Sequence, residues 1–231
     1  MAIRSRRVIT THPGLISAPW VADLSDELRR RVVAETTIRS VPKGGYVCRK
    51  GERVECWIGV LEGLVKVSSV SQQGKSVSFI GVPSGGWFGE GSLLKNEPRR
   101  FDGIALRGSV VAYVPRNTFT LLLDSSVSFN RFLLVQLNER LGQFVGMIEY
   151  DRMLDADARL ARELAALFNP LLYPGNQTSL PISQEELAHL VGMSRQSVNR
   201  ALSRLYRAGL VRTRYRDLEL LDLEGLRHFG E

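Results

Sequence analysis

Residues 182–211 read ISQEELAHLVGMSRQSVNRALSRLYRAGLV, and this stretch decides the architecture of the C-terminal third. Ser183 followed by Glu186 has the spacing of a capping box, which starts a helix. Leu187 and Leu190 give that helix an apolar face, and Ala188 allows close approach of a second helix. Gly192 supplies a sharp turn, because glycine tolerates positive φ. Ser194 then caps a second helix, on which Val198, Leu202 and Leu205 recur at i, i+4 and i+7. Arg195, Gln196, Asn199, Arg200, Ser203 and Arg207 lie largely off that stripe, and Arg204 is counted with the candidate DNA contacts. Two short helices around a tight turn, the second with a polar and cationic face, form the pattern of a helix-turn-helix DNA reader.

The residue types suit base readout. Arginine offers a bidentate fork to guanine, whereas Gln and Asn pair with adenine. From Met193 to Arg216 the chain carries Arg195, Arg200, Arg204, Arg207, Arg212, Arg214 and Arg216, and no acid interrupts them. Residues 210–214 and 217–221 read as two strands around a turn. They would make the reader a winged helix-turn-helix, with Arg212 and Arg214 directed at phosphates.

Working towards the N-terminus, residues 128–151 predict a long helix. Leu134, Leu137, Leu141, Phe144 and Ile148 are spaced 3-4-3-4 on it, which is a coiled-coil seam, and Val145 and Met147 flank them. The alternative is a helix packed only on its own domain. Between residues 36 and 116 glycines punctuate short alternating runs at 57–61, 64–70, 77–82 and 109–114. Short strands with regular turn signals predict a β-roll or jelly roll. Residues 24–34 predict an amphipathic helix capped by Ser25, and residues 1–20 a poorly ordered N-terminal arm.

The chain has 231 residues and a formal charge of +7, enough length for two domains and consistent with a polyanionic partner. Two cysteines, Cys48 and Cys56, and three scattered histidines suit neither a disulfide framework nor zinc, haem or an iron–sulfur cluster. No apolar run is long enough to span a membrane and no secretory leader is evident, so the reading places the protein in the cytoplasm. Nucleophile elbow, P-loop and metal cluster are all missing, which argues against an enzyme.

The order β-roll, long helix, winged helix-turn-helix resembles the Crp/Fnr family of bacterial transcription regulators. The matching phrases are VPKGGYVCRKGE (41–52), IGVLEGLVKV (58–67), QQGKSVSF (72–79), SGGWFGEGSLL (84–94) and the reader quoted above. The resemblance implies an α+β chain divided into an arm (1–20), a cyclic-nucleotide-binding-type sensor roll (21–127), a dimerisation helix (128–153) and a winged helix-turn-helix (154–231). It also implies a homodimer on a pseudo-palindrome of double-stranded DNA. A small-molecule effector would sit in the roll, and an activator would need a surface for RNA polymerase. Arg195, Gln196 and Arg200 fall where family members read bases. The cyclic-AMP receptor has Glu where this chain has Gln196.

The sensor departs from the cyclic-nucleotide pattern. Phe88, Gly89 and Glu90 are present, and Arg100 stands at the phosphate-binding distance, but Phe101 follows it where Ser or Thr is expected. Counting along the long helix puts the adenine-facing positions at Phe144 and Val145, both apolar. Cyclic AMP in the usual mode is therefore not expected. Arg100 meets either an anion or Glu90. The rival to a DNA regulator is a sensor module that acts through protein partners, and steep salt dependence of DNA binding separates the two.

Overall fold

A computed structural model describes the chain except residues 1–7, 10, 71–72, 74–75, 154, 176–177 and 231. A short strand β1 (Val8–Ile9) precedes two helical turns, α1 (Pro13–Ile16) and α2 (Pro19–Ala22), each with proline at its start. The Ser25 hydroxyl caps α3 (Asp26–Glu35). The roll follows as β2 (Thr37–Val41), β3 (Tyr46–Cys48), β4 (Cys56–Glu62), β5 (Leu64–Val70), β6 (Ser76–Pro83), β7 (Trp87–Phe88), the short α4 (Glu90–Leu94), β8 (Asp102–Ala105) and β9 (Ser109–Pro115). After it come α5 (Arg116–Ser125), the 27-residue α6 (Val127–Met153) and α7 (Ala156–Leu167). The reader is built from β10 (Ser179–Leu180), α8 (Gln184–Val191), α9 (Arg195–Arg207), β11 (Val211–Arg214), β12 (Asp217–Leu220) and α10 (Leu223–His228).

Two antiparallel sheets face each other in the roll, one ordered β1-β2-β9-β4-β7 and the other β3-β8-β5-β6. Their inner faces bury Val41, Val47, Ile58, Val60, Val65, Val82, Phe88 and Val111. The outer face of β4 meets a second core made by Trp20, Trp57, Trp87, Phe119 and Phe129. Trp57 and Trp87 lie 4.4 Å apart, and Trp20 is 5.1 and 5.0 Å from them. Such ring pairs add to simple burial of area. Gly59 is required here, because a Cβ would stand 2.7 Å from the Trp87 ring.

The expected N-terminal arm needs correction. Residues 13–22 are docked, with Leu15 and Trp20 each 1% exposed in the tryptophan core. An indole cannot be left in water when two partners lie within ring-stacking reach. The part of the arm at residues 1–7 lies outside the described residues.

The reader packs onto its own roll. Leu64 of β5 joins the reader core of Leu160, Leu164, Leu187, Leu190 and Leu205. Gly81 of β6 would bring a Cβ within 2.8 Å of Leu167 and Leu190. Ser78 donates its hydroxyl to the His189 carbonyl at 2.8 Å.

Glu186 of α8 carries the polar part of this contact. It accepts from Lys43 at 2.8 Å and lies 3.7 Å from Arg107, both on the roll. Burial alone would raise this carboxyl, but Lys43 and the Ser183 backbone N–H and hydroxyl outweigh it and hold it at about 2. A depressed carboxylate pKa stabilises the fold above its unfolded value, near 4.5, and that contribution disappears as pH falls towards 2. The expected result is a melting temperature that falls more steeply between pH 4.5 and 2 in the wild type than in Glu186→Gln. Parallel pH profiles for the two proteins would contradict this account.

Candidate nucleic-acid interface and sensor interior

Local sequence builds the reading end of the molecule. The Ser183 hydroxyl accepts from the Glu186 N–H at 3.2 Å, and the Glu186 carboxylate accepts from the Ser183 N–H at 2.9 Å. Gly192 ends α8 in the left-handed region at φ 66°. Ser194 caps α9, accepting from the Ser197 N–H at 3.0 Å. Val198, Ala201, Leu202 and Leu205 are buried on one side of α9. Arg195, Gln196, Arg200, Ser203 and Arg207 are exposed, and Asn199 is half-buried.

Ion pairing sorts the arginines. Arg204 is bonded to the buried Asp157 of α7, so it ties α9 to its own domain. This corrects the grouping of Arg204 with the DNA contacts. Its place one turn beyond Arg200 and 40° further round the helix brings it to α7 instead. Arg212 and Arg214 share the Glu219 carboxylate across the hairpin at 3.2 and 3.3 Å. Arg195, Arg200, Arg207 and Arg216 have no carboxylate partner among the described residues. Arg216 holds φ 56° in the two-residue turn between β11 and β12, beside a Tyr215 that is 89% exposed. A groove of about 360 Å³ runs between that turn, the start of α8 and Arg195.

The long helix presents two unlike faces. Leu134, Leu137, Leu141, Phe144, Val145 and Ile148 are all exposed. Gln136, Glu139, Arg140 and Gln143, spaced at three and four residues, turn the other way, onto residues 166–173. Val145 turns to solvent, contrary to the sequence reading, whereas Phe144 lines a cleft of about 840 Å³ against Lys66, Val77 and Phe79 of the roll, outside its buried core. The helix turns 100° per residue, so an offset of one or two residues exchanges its faces.

The sensor expectation is corrected at Arg100 as well. Arg100 points outward and pairs with Glu97 at 2.8 Å, not with Glu90. Its neighbour Arg99 is the buried one, at 4% exposure, and donates to the Gly89 and Cys56 carbonyls at 3.5 and 3.2 Å. Gly89, at φ 91°, leaves the room that Arg99 uses, since a Cβ would collide with the guanidinium. Phe101 stacks 6.1 Å from Phe88. Leu172 and Tyr173, from the segment after α7, join the buried core of the roll. These residues do not fit a cyclic nucleotide. The guanidinium nearest Gly89 is spent on carbonyls, and a phenol ring occupies the apolar interior.

Burial raises Cys48 to about 11, and it also raises Cys56. Both thiols are therefore protonated at neutral pH and are poor nucleophiles. A thiol reagent at pH 7 is expected to label them only after denaturation. Fast stoichiometric labelling of the folded protein would contradict this. Among the described residues no cluster of three or more His, Cys, Asp or Glu side chains could hold a metal. None of the described helices is long and apolar enough to cross a membrane.

Two family patterns match the chain. The cyclic nucleotide-binding domain covers residues 38–126, and the Crp-like helix-turn-helix domain covers residues 158–229. The transcriptional regulator SdrP of Thermus thermophilus is 31% identical over 180 residues, 74% of this chain and 82% of that protein. The cAMP-activated global transcriptional regulator Vfr of Pseudomonas aeruginosa is 26% identical, across 79% of this chain and 84% of that one. A CRP/FNR-family transcriptional regulator of known structure, also from Thermus thermophilus, superposes with a TM-score of 0.57 at 26% identity, covering 82% of this chain and 96% of that one. FixK2 from Bradyrhizobium japonicum shares the fold, with a TM-score of 0.68 at 20% identity over 85% and 98% of the two chains.

Proposed function

We propose that this chain, which belongs to the Crp/Fnr family of DNA-binding transcription regulators, works as a homodimer on a pseudo-palindromic operator. Its relatives are regulators, and it is a regulator and not an enzyme. One α9 would enter the major groove of each half-site, with the two half-sites about one DNA turn apart. The observation that carries this reading is the outward face of α9, where Arg195, Arg200 and Arg207 stand without carboxylate partners among the described residues, beside Gln196. Cations along the outward face of α9 that their own chain leaves without carboxylates are free to meet the phosphates and bases of a duplex.

Within this reading Arg195, Gln196 and Arg200 touch bases. Ser183, Ser194, Arg207 and the wing arginines position the backbone. The dimer seam is the exposed stripe from Leu134 to Ile148. Regulation through cyclic AMP in the usual mode is not part of the proposal, because Tyr173 is buried in the roll core and Arg100 turns outward to Glu97. The protein is placed in the cytoplasm, where operator DNA and RNA polymerase are found.

Selection of bound duplexes from a random pool tests the proposal, with and without cyclic AMP. The expected product is a two-fold site, the same in both arms. An asymmetric single site, or enrichment only with the nucleotide, would contradict it. A partner-protein function predicts no enrichment and no salt dependence. Several phosphate contacts instead predict a loss of about 10³–10⁵-fold in affinity between 50 and 200 mM salt, for about 6–10 contacts.

A further inference from the structure

Tyr173 comes from the segment that joins α7 to the reader, yet it is 1% exposed inside the roll. Leu172 beside it is equally buried. Gly86 makes room for the ring, since a Cβ there would stand 2.8 Å from it. Gly85 and Gly175 let the two backbones touch, because a Cβ on either would meet the other segment within 3 Å. The phenol oxygen accepts from the buried Arg140 at 2.9 Å, and the same guanidinium donates to the Trp87 carbonyl at 3.0 Å.

Helix α6 holds the whole segment. Gln136 donates to the Leu171 carbonyl at 2.6 Å, Glu139 accepts from Asn169 at 3.0 Å, and Gln143 donates to the Ala166 carbonyl at 3.0 Å. The phenol thus has what a bound small molecule has: an apolar cavity for its ring and a charged donor for its hydroxyl.

We infer that Tyr173 is a ligand the chain supplies to its own sensor, filling the roll where a diffusible effector would otherwise bind. One clamp then joins three parts: the roll through Trp87, the long helix through Arg140 and the reader through residues 169–175. The opposite side of α6 is the apolar stripe assigned to the partner subunit, so the plug sets how the reader sits relative to the dimer axis. Docking leaves Arg195, Gln196 and Arg200 outward. The plugged form is therefore the DNA-competent one, and no added effector is needed to reach it. This rests on the DNA-binding dimer proposed above.

The test restores the missing side chain from solution. Tyr173→Ala in the full chain opens a cavity the shape of phenol, and dry apolar cavities of this kind take up small aromatics. Operator affinity is expected to fall by at least about tenfold, within the ~5–150-fold range of coupled sites, and to recover with millimolar phenol. The wild type should ignore phenol. Two outcomes would overturn the inference: Tyr173→Ala binding as tightly as the wild type, or a folded, dimeric Tyr173→Ala that stays weak with phenol.

Should that variant fail to fold, Tyr173→Phe and Arg140→Gln take its place. Each is expected to weaken operator binding several-fold with the dimer intact, and unchanged affinity in both would overturn the inference. A wild type that binds no duplex at all would refute the DNA-binding reading instead, which keeps the two failures apart.

Discussion

Leu141→Asp is expected to convert the dimer to single subunits and to cost operator binding about 10²–10⁴-fold, the gain that linking two sites commonly confers. Leu141 is 61% exposed at the middle of the stripe formed by Leu134, Leu137, Phe144, Val145 and Ile148. Soluble proteins rarely leave so continuous an apolar band in water. The 3-4-3-4 spacing places its members along one side of α6, where a second copy can supply knobs for the same holes. A carboxylate at the centre of such a seam would be buried without a partner, and its desolvation would exceed what the flanking leucines restore.

The reader itself would stay intact, because Leu141 makes no part of its core. Sedimentation or light scattering reads the assembly, and titration of an operator duplex reads the affinity. Unchanged mass, or a monomer that binds the full operator as tightly as the wild type, would remove the seam from the proposal. Glu139→Gln, on the opposite side of α6, is the control and should leave the dimer in place.

What the sequence made legible is local. Ser183 with Glu186, Gly192 and Ser194 each act within four residues, so the caps and turn of the reader could be placed from the string alone. The buried positions of α9 and the strands at 57–61, 64–70 and 109–114 follow from periodicity for the same reason. Tyr173 gave no signal at all. It stands in a proline- and glycine-bearing loop, and its cavity is made by residues nearly ninety positions upstream.

Trp20 was missed in a similar way, since its partners Trp57 and Trp87 are brought to it only by the roll. The consecutive Arg99 and Arg100 defeated counting by one residue. The two point to opposite sides, so a slip of one exchanges a buried cation for a solvent-exposed one. Arg204 was misread because a helical wheel shows which residues avoid the apolar stripe, but not that Asp157 waits beside one of them.

Gln196→Glu is expected to change which base pair is preferred at one position of each half-site. Gln pairs with the N6/N7 edge of adenine, whereas a carboxylate accepts from the N4 amine of cytosine. The original site should lose about 1–3 kcal/mol per half-site. Loss at one pair does not affect well-separated pairs, so the other positions should keep their preferences. Arg200→Ala should relax a different position by a similar amount and lower the salt slope little if its contact is to a base. Arg207→Ala should lower the slope by about one with the preferred sequence unchanged, as phosphate contacts do.

Arg204→Ala makes the internal comparison. It strips the partner from Asp157, which is 4% exposed, and leaves that carboxylate buried and unpaired. Thermal stability should therefore drop, with base preference intact. Selection from randomised half-sites for the four variants gives preference, and titration at several salt concentrations gives slope. A Gln196→Glu protein that selects the wild-type sequence would mean that α9 meets DNA by another face. An Arg204→Ala protein of unaltered stability and altered preference would return Arg204 to the reading surface and displace the Asp157 pair from its structural role.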